Sequence, residues 1–435
     1  MTSTSPKMII GKTDSSKYFP IKQGVACQLK WTWNTIRLYE GTSASCHRVH
    51  GLNLDVSTFE NFHNDKKWVD QRKLMLEGKF PQAGCQYCEN IEKNGGISDR
   101  LTHLKIPNLY PTELDDDPLA VVVTPRILEV FLDNVCNMGC IYCDESNSSQ
   151  IQNENLKFGY IKVKNVTPNN QIVSKHPDFE LLTEKFFTYL EKNYHQLRKL
   201  NVLGGEPFFQ QSFPRLITFI ENNNNPDLEL TIVTNLKVSR KKLEEFVLKM
   251  KHIVSKRKIA RLDITVSLDC FGDEQEYVRY GLDLIKFKEN FEFLVKHRWI
   301  TLNVNSTITS LTIKTMPEMI RYIKSFLTER KIFHSFGLVD GRPWLHPNIF
   351  DGKFFKNDFK NILEEMPDIT EWDKNQKHYM EGIVKYISIS TTDLEKLHDL
   401  TAYLDEIDRR RNLNWRQIFP WLDQHNELNK DNHVV

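Results

Sequence analysis

From about Arg126 to Val339, short apolar, β-branched runs alternate with amphipathic stretches. The runs Ile127–Leu132, Leu200–Leu203, Leu228–Val233, Arg261–Leu268, Thr301–Thr307 and Ile332–Leu338 predict strands. The stretches near Phe179–Asn193, Phe213–Asn222, Lys241–Ile253, Glu274–His297 and Thr315–Leu327 predict helices between them. Such alternation means βαβ units on a parallel sheet, hence an α/β class. Six units fit a partial (β/α)6 barrel of the TIM type, although periodicity alone equally allows a doubly wound sheet.

The flanks have other rhythms. Residues 1–20 are polar and read as loose; residues 21–115 carry four cysteines, several aromatics and a helix near Trp68–Leu76. The acidic turn Glu113–Asp117 and Pro118 mark a boundary, so the expected division is an N-terminal segment 1–118, a barrel 119–340 and a helical extension 341–435. In the extension Asp393–Arg411 and Trp415–Leu422 are the clearest helices. Trp415, Phe419 and Trp421 are expected to pack against the barrel, while Glu395, Asp405, Glu406 and Arg409–Arg411 read as a solvated face. A mostly polar insertion, including Ser146–Ser149 and Asn169-Asn170, separates Cys143 from Pro177; loops of that length are usually functional or disordered.

Composition narrows the function classes. Apolar residues make up 40% of the 435-residue chain and charged residues 26%, enough for a sizeable core. A net charge of +1 gives no footprint for nucleic acid or an anionic membrane. No run reaches the roughly 18 apolar residues of a membrane span, and the N-terminus lacks a secretory pattern, so a soluble cytoplasmic protein is expected. Eight cysteines in that compartment point to metal binding or catalysis rather than disulfides.

Three of them form Cys136-Asn-Met-Gly-Cys140-Ile-Tyr-Cys143, directly after the first expected strand. Three closely spaced thiolates can ligate three corners of a 4Fe–4S cubane, normally a four-cysteine site. The missing fourth ligand leaves one iron open. Asn137 and Gly139 suit a tightly wrapped loop. A zinc site would more typically show paired Cys-x2-Cys units and four protein ligands.

This loop resembles the signature of the radical S-adenosylmethionine (SAM) superfamily, Cys-x3-Cys-x2-Cys, with Tyr142 at the family's aromatic position. The resemblance implies a partial barrel and SAM chelated at the open iron. It also implies reductive cleavage of SAM to a 5′-deoxyadenosyl radical that abstracts a substrate hydrogen. Gly204-Gly205-Glu206-Pro207 matches the family's GGEP element, which implies that Glu206 and nearby backbone hold the amino group of SAM. Thr234-Asn235 resembles the TNG element, with Leu236 replacing its glycine. Ser267-Leu-Asp269 stands where relatives place groups near the ribose, and Arg279 matches an arginine that pairs with the SAM carboxylate. Asn305 and Ser306 are secondary candidates. The matches follow the order of the strands and cover Arg126 to Val339.

The remaining cysteines leave alternatives open. Cys27, Cys46, Cys85 and Cys88 satisfy either an auxiliary 4Fe–4S cluster or a tetrahedral zinc ion, or are free thiols. The segment resembles the twitch or SPASM-type auxiliary-cluster domains, although those cysteines lie after the barrel in better-known members and before it here. His47 and His50 flank Cys46 and are alternative ligands. Cys270 replaces the glycine of the family's SLDG element and is either a hydrogen-atom donor or a buried structural cysteine. The resemblance implies a peptide or protein substrate and a reductant such as flavodoxin or ferredoxin. The competing readings are an enzyme acting on a small metabolite or nucleotide, and a non-catalytic iron–sulfur or zinc binding protein.

Overall fold

Each of the six expected strands forms, with ends within one residue of those read from the pattern. In the computed structural model, residues 19–21, 25–82, 84–93, 95, 98–104, 106, 109–164 and 174–429 are described. Most of the polar N-terminal stretch, and Asn169-Asn170 of the insertion, lie outside the described residues. The strands in chain order are β1 Trp33–Arg37, β2 Thr42–Ala44, β3 Leu52–Asn53, β4 Ile127–Phe131, β5 Gly139–Cys140 and β6 Lys199–Leu203. There follow β7 Glu229–Thr234, β8 Arg261–Ser267, β9 Arg279–Tyr280, β10 Thr301–Ile308 and β11 Ile332–Leu338.

Nine of them make one sheet, ordered β11-β10-β8-β7-β6-β4-β1-β2-β3. From β11 to β1 every pairing is parallel, and β2 and β3 extend the edge as antiparallel strands. The parallel strands follow one another in chain order without reversal. Right-handed crossovers then put the connecting helices on one side of the sheet. The sheet is therefore singly wound and open, a partial barrel, rather than doubly wound.

Residues facing one side of these strands, such as Leu128, Val130, Leu200, Val202, Leu230, Ile232, Ile264, Val304 and Leu302, are wholly buried. The alternate positions carry Glu129, Asn201, Thr231, Thr265, Asn303 and Asn305 and are less buried. A polar face with buried apolar backing is what a barrel needs to present a ligand at its strand ends.

Two local outcomes differ from the sequence pattern. The stretch 274–297 is not one helix: Gly272–Val278 and Leu284–Val295 are separated by β9. Gly281 adopts φ +96°, which favours glycine, and Asp283 caps the second helix by accepting from Lys286 N. The break lets Arg279 pair as β9 with Cys140 of β5. The insertion after Cys143 contains the helix Ser149–Phe158, with Ser148 as N-cap and Gly159 at its end.

In the C-terminal extension, the helix Leu394–Arg411 reaches the cysteine loop through Tyr403, whose hydroxyl donates to Ile141 O. Trp415 and Phe419 are fully buried, the latter edge-on to Tyr277 at 5.3 Å, as the apolar pattern suggests. The arginine run is a correction. Arg409 is exposed, but Arg411 is 7% exposed, forked onto Glu154 (both contacts 2.9 Å) and stacked 4.6 Å from the Tyr280 ring. Charge in the sequence does not reveal a partner that distant in the chain.

A second, smaller core gathers Phe19, Ile21, Trp31, Trp68, Met75, Leu114 and Val123 around Cys27, Cys46 and Cys85. Helix Lys66–Leu76 delivers the fully buried Arg72, which donates to the carbonyls of Lys30 (2.8 Å), Val121 (2.6 Å) and His63 (2.7 Å). Among the described residues, no helix is long and apolar enough to cross a membrane.

His334 on β11 provides a pH test of the packing. It is buried beside Ser306, 2.8 Å away, and Ser306 itself donates to Leu268 O. His334 therefore donates from Nε2 as a neutral imidazole, and burial pushes its pKa down to about 3. The unfolded chain takes up this proton near pH 6.5 and the folded chain does not, so the contribution is intact above that pH and lost as pH falls below it. Denaturation of wild type between pH 7 and pH 4 should lose about 1.4 kcal/mol per unit below the usual histidine range from this residue. His334→Gln should show a shallower slope; parallel slopes would remove the residue from the account.

Candidate active site

The cysteine loop leaves β4 at Phe131 and is held by backbone and polar contacts from four directions. Cys136 N donates to Ser149 Oγ at 3.1 Å, and Ser148 Oγ donates to Met138 O at 2.8 Å. Asn134 Nδ2 reaches Glu145 O at 2.9 Å. Asn137 donates to Lys237 O at 2.8 Å and accepts from Asn235 Nδ2 at 2.9 Å. From the C-terminal side Tyr403 Oη donates to Ile141 O, and Arg342 donates to Cys143 O. Tyr403 and Arg342 carry no motif signal in the sequence. Only the fold brings them to the loop.

The three thiols lie close enough to perturb one another. Burial pushes Cys136 up to about 12, with Cys140 adding to the shift; Cys143 is raised well above a free thiol by burial and by both neighbours. Cys140 is also raised by burial, against the pull of Arg279. Without a metal they are protonated, and metal binding would displace those protons. Among the described residues, no three Cys, His, Asp or Glu side chains converge as a single ion requires. A cubane makes a different demand, because each thiolate binds its own iron. The donor set, three cysteines on one loop, fits such a cluster. Arg279 Nη1 lies 4.0 Å from Cys140 Sγ and Asn235 Nδ2 3.9 Å from Cys136 Sγ, and such donors to sulfur tune a bound cluster.

The Gly-Gly-Glu-Pro turn at the end of β6 presses against this loop. Gly204 has φ +78° and Gly205 φ +49°. A Cβ on Gly205 would stand 2.2 Å from Val135 O, so no side chain fits. That proximity allows Glu206 N to donate to Val135 O at 2.8 Å. The Glu206 carboxylate is fully buried and accepts from Thr234 Oγ1 (2.8 Å), Asn235 N (2.7 Å) and, more weakly, Phe208 N (3.3 Å). Burial outweighs these bonds and pushes its pKa up to about 7.

Asp269, just beyond β8, is a second junction. Arg279 forks onto it through Nε (2.8 Å) and Nη2 (2.9 Å), Tyr142 Oη donates at 2.6 Å, and Thr307 N donates at 2.8 Å. Glu206, Thr234, Asn235, Asp269, Arg279 and Tyr142 are thus brought together around the cysteine loop. One edge of the Arg279 guanidinium, its Nε and Nη2, is occupied by Asp269, leaving Nη1 toward Cys140. Ser267 lies one step inside on β8, in register with Asn305. Cys270 is fully buried, with its backbone and thiol against Gln275 Oε1 at 2.9 and 3.5 Å.

The other four cysteines meet although they span over sixty residues. Cys27 caps the helix Gln28–Thr32, Cys46 follows β2, and Cys85 and Cys88 begin the helix Gln86–Lys93. Gly84, at φ +88°, lets that helix start against Val49, where a Cβ would sit 2.6 Å from its methyl. All four thiols line one cavity with Lys30, Arg48, Asp99 and Arg100. The four do not converge on one point as a zinc ion requires, whereas a fully ligated cluster asks each thiolate for its own iron and fits four cysteines lining one pocket. His47 pairs with Asp99 at 3.3 Å and His50 is exposed; neither lines this cavity.

No family model matches the chain. Two curated relatives, each named a probable GTP 3′,8-cyclase, are similar over 191 residues: that of Methanococcus maripaludis at 24% identity and that of Methanococcus vannielii at 25%. The match covers 43% of this chain and 52% of each relative, so the chain spans about half the length of the curated relatives it matches. Among solved structures, SuiB of Streptococcus suis overlaps with TM-score 0.38 at 13% identity, covering 79% of this chain and 69% of that one. The structure titled native anSMEcpe with bound AdoMet overlaps with TM-score 0.35 at 15% identity, covering 60% and 62%. The three-cysteine loop sits among successive strand ends of a singly wound sheet with its companion motifs in strand order, the arrangement that the resemblance to the radical SAM superfamily implies.

Proposed function

We propose that the chain is an enzyme that reductively cleaves SAM and uses the resulting 5′-deoxyadenosyl radical to abstract hydrogen from a peptide or protein side chain. The observation that carries the reading is the incomplete ligand set: Cys136, Cys140 and Cys143 stand together without a fourth cysteine on the loop. When bound there, a 4Fe–4S cluster would supply an open iron for SAM and the electron that breaks its carbon–sulfur bond.

In this reading the chain's own residues seat, orient and shield. Gly204 and Gly205 bring backbone within reach of the amino group of SAM, and Glu206 with Thr234 fixes that turn against β7. Ser267 and Asp269 stand on the ribose side. Asp269 holds Arg279 and Tyr142 in place, and Arg279 Nη1 offers a positive charge beside Cys140. Tyr142 keeps its proton, because burial and Asp269 raise its pKa well above the ordinary value. Cys270 serves packing, since its thiol is enclosed by Gln275 rather than open to the strand ends. Cys27, Cys46, Cys85 and Cys88 hold an auxiliary 4Fe–4S cluster, and a flavodoxin or ferredoxin of the cytoplasm delivers the electrons.

The peptide assignment is supported by the resemblance of residues 27–88 to auxiliary-cluster domains. A second reading, a nucleotide substrate, is favoured by the names of the curated relatives. Anaerobic reconstitution tests both. Wild type should hold about eight irons and form 5′-deoxyadenosine, on the basis of two four-iron clusters. Cys140→Ala should abolish 5′-deoxyadenosine while Cys85→Ala keeps one cluster. SAM cleavage by Cys140→Ala would refute the central assignment. GTP-dependent acceleration of SAM cleavage, with consumption of GTP, would replace the peptide reading by the nucleotide one.

The turn itself gives a sharper test. Gly205→Ala combines a positive φ with a Cβ against Val135 O, a strain of about 1–3 kcal/mol even before the clash is relieved. Iron bound at the three-cysteine loop and 5′-deoxyadenosine should both fall at least about tenfold in a folded variant, as a displaced metal site does. Retention of both would show that the contact between the turn and the loop is dispensable.

A further inference from the structure

Lys30 is 1% exposed, on the short helix that follows Cys27. Its ammonium donates to Ser45 Oγ at 3.1 Å and Gln71 Oε1 at 2.6 Å, and lies 5.1 Å from the Trp68 ring centroid. Every one of these partners is neutral. Among the described residues, no carboxylate lies within ion-pair distance of it. The acidic groups nearest the cavity are engaged elsewhere: Asp99 with Arg48 at 2.9 Å, and Glu92 with Arg100. Arg72 stands behind, donating to Lys30 O and to other neutral acceptors only. Among the described residues neither Lys30 nor Arg72 has a carboxylate partner, and burial pushes both below their ordinary pKa.

A buried, unpaired charge is strongly unfavourable, and an arrangement of this kind implies a counter-charge. The groups of opposite potential charge that face Lys30 are the thiols of Cys85, Cys46 and Cys27, which line the same cavity. Four thiolates around a doubly positive 4Fe–4S core carry a net charge of minus two. Lys30 and Arg72 together balance it.

We propose that Lys30 is the counter-charge of the four-cysteine site, a positioning residue that makes the smaller core receptive to an anionic metal–thiolate group. The inference rests on the reading of Cys27, Cys46, Cys85 and Cys88 as one auxiliary 4Fe–4S site. It separates charge from packing, because an uncharged residue at position 30 should suit the metal-free protein better and the metal-bound protein worse.

The test reconstitutes the full-length metal-free chain anaerobically with iron and sulfide and reads bound iron against added iron, taking the component that Cys85→Ala removes. Lys30→Met removes charge and hydrogen bonding; Lys30→Gln keeps polar contacts to Ser45 and Gln71 but no charge. Both should weaken the Cys85-dependent affinity by about tenfold or more, the scale of an outer-shell partner. Both metal-free variants should melt at or above the wild-type temperature, since a buried unpaired ammonium has been removed. Wild-type affinity in either variant, or a metal-free Lys30→Met that melts below wild type, overturns the assignment. A wild-type titration unchanged by Cys85→Ala refutes the four-cysteine site and the role of Lys30 with it. Loss of that component in Cys85→Ala with unchanged Lys30 variants refutes Lys30 alone.

Discussion

The hydrogen bond from Glu206 N to Val135 O, 2.8 Å long, ties the cysteine loop to the end of β6, and the geometry of the site depends on it. It exists because Gly205 has no Cβ and a positive φ. From that fixed point the buried Glu206 carboxylate reaches Thr234 and Asn235 on the next strand, and Asn235 reaches back to Asn137 on the loop. One turn thus couples the loop to two strand ends. A buried carboxylate tolerates such a place because its acceptors are well used, although burial still leaves it easier to protonate than an exposed glutamate.

Asp269 does for the far side what Glu206 does for the near side. It joins β8, the first residue pairs of the β5–β9 ribbon and, through Thr307, β10. The C-terminal extension completes the enclosure, with Tyr403 and Arg342 on loop carbonyls and Arg411 between Glu154 and Tyr280. A Cβ on Gly139 would meet Arg411 Nη2 at 3.1 Å, so this glycine admits the arginine as well as the loop's own curvature. The extension is therefore structural support for the cysteine loop.

The strands of the barrel were legible because β-branched and apolar runs alternate strictly with helical periodicity, and the cysteine loop was legible because its spacing is compact. Arg279 was identified by its motif, yet its partner Asp269 follows only once the expected 274–297 helix breaks at Gly281. β1 escaped the pattern: Trp33-Asn-Thr-Ile-Arg37 mixes aromatic and polar residues, and its Asn34 is buried without looking apolar. Tyr403, Arg342 and Arg411 were illegible for a physical reason. Their partners lie hundreds of residues away, and local charge or aromaticity does not encode distance contacts. The four N-terminal cysteines could be counted from the sequence, whereas the burial of Lys30 and Arg72 beside them could not.

The open coordination position at Cys136, Cys140 and Cys143 is the central claim, and electron paramagnetic resonance tests it most directly. In a reconstituted chain lacking Cys85 and Cys88, the dithionite-reduced sample should show one 4Fe–4S signal that changes shape and g-values when SAM is added. A signal that is identical with and without SAM would contradict an iron left open for it.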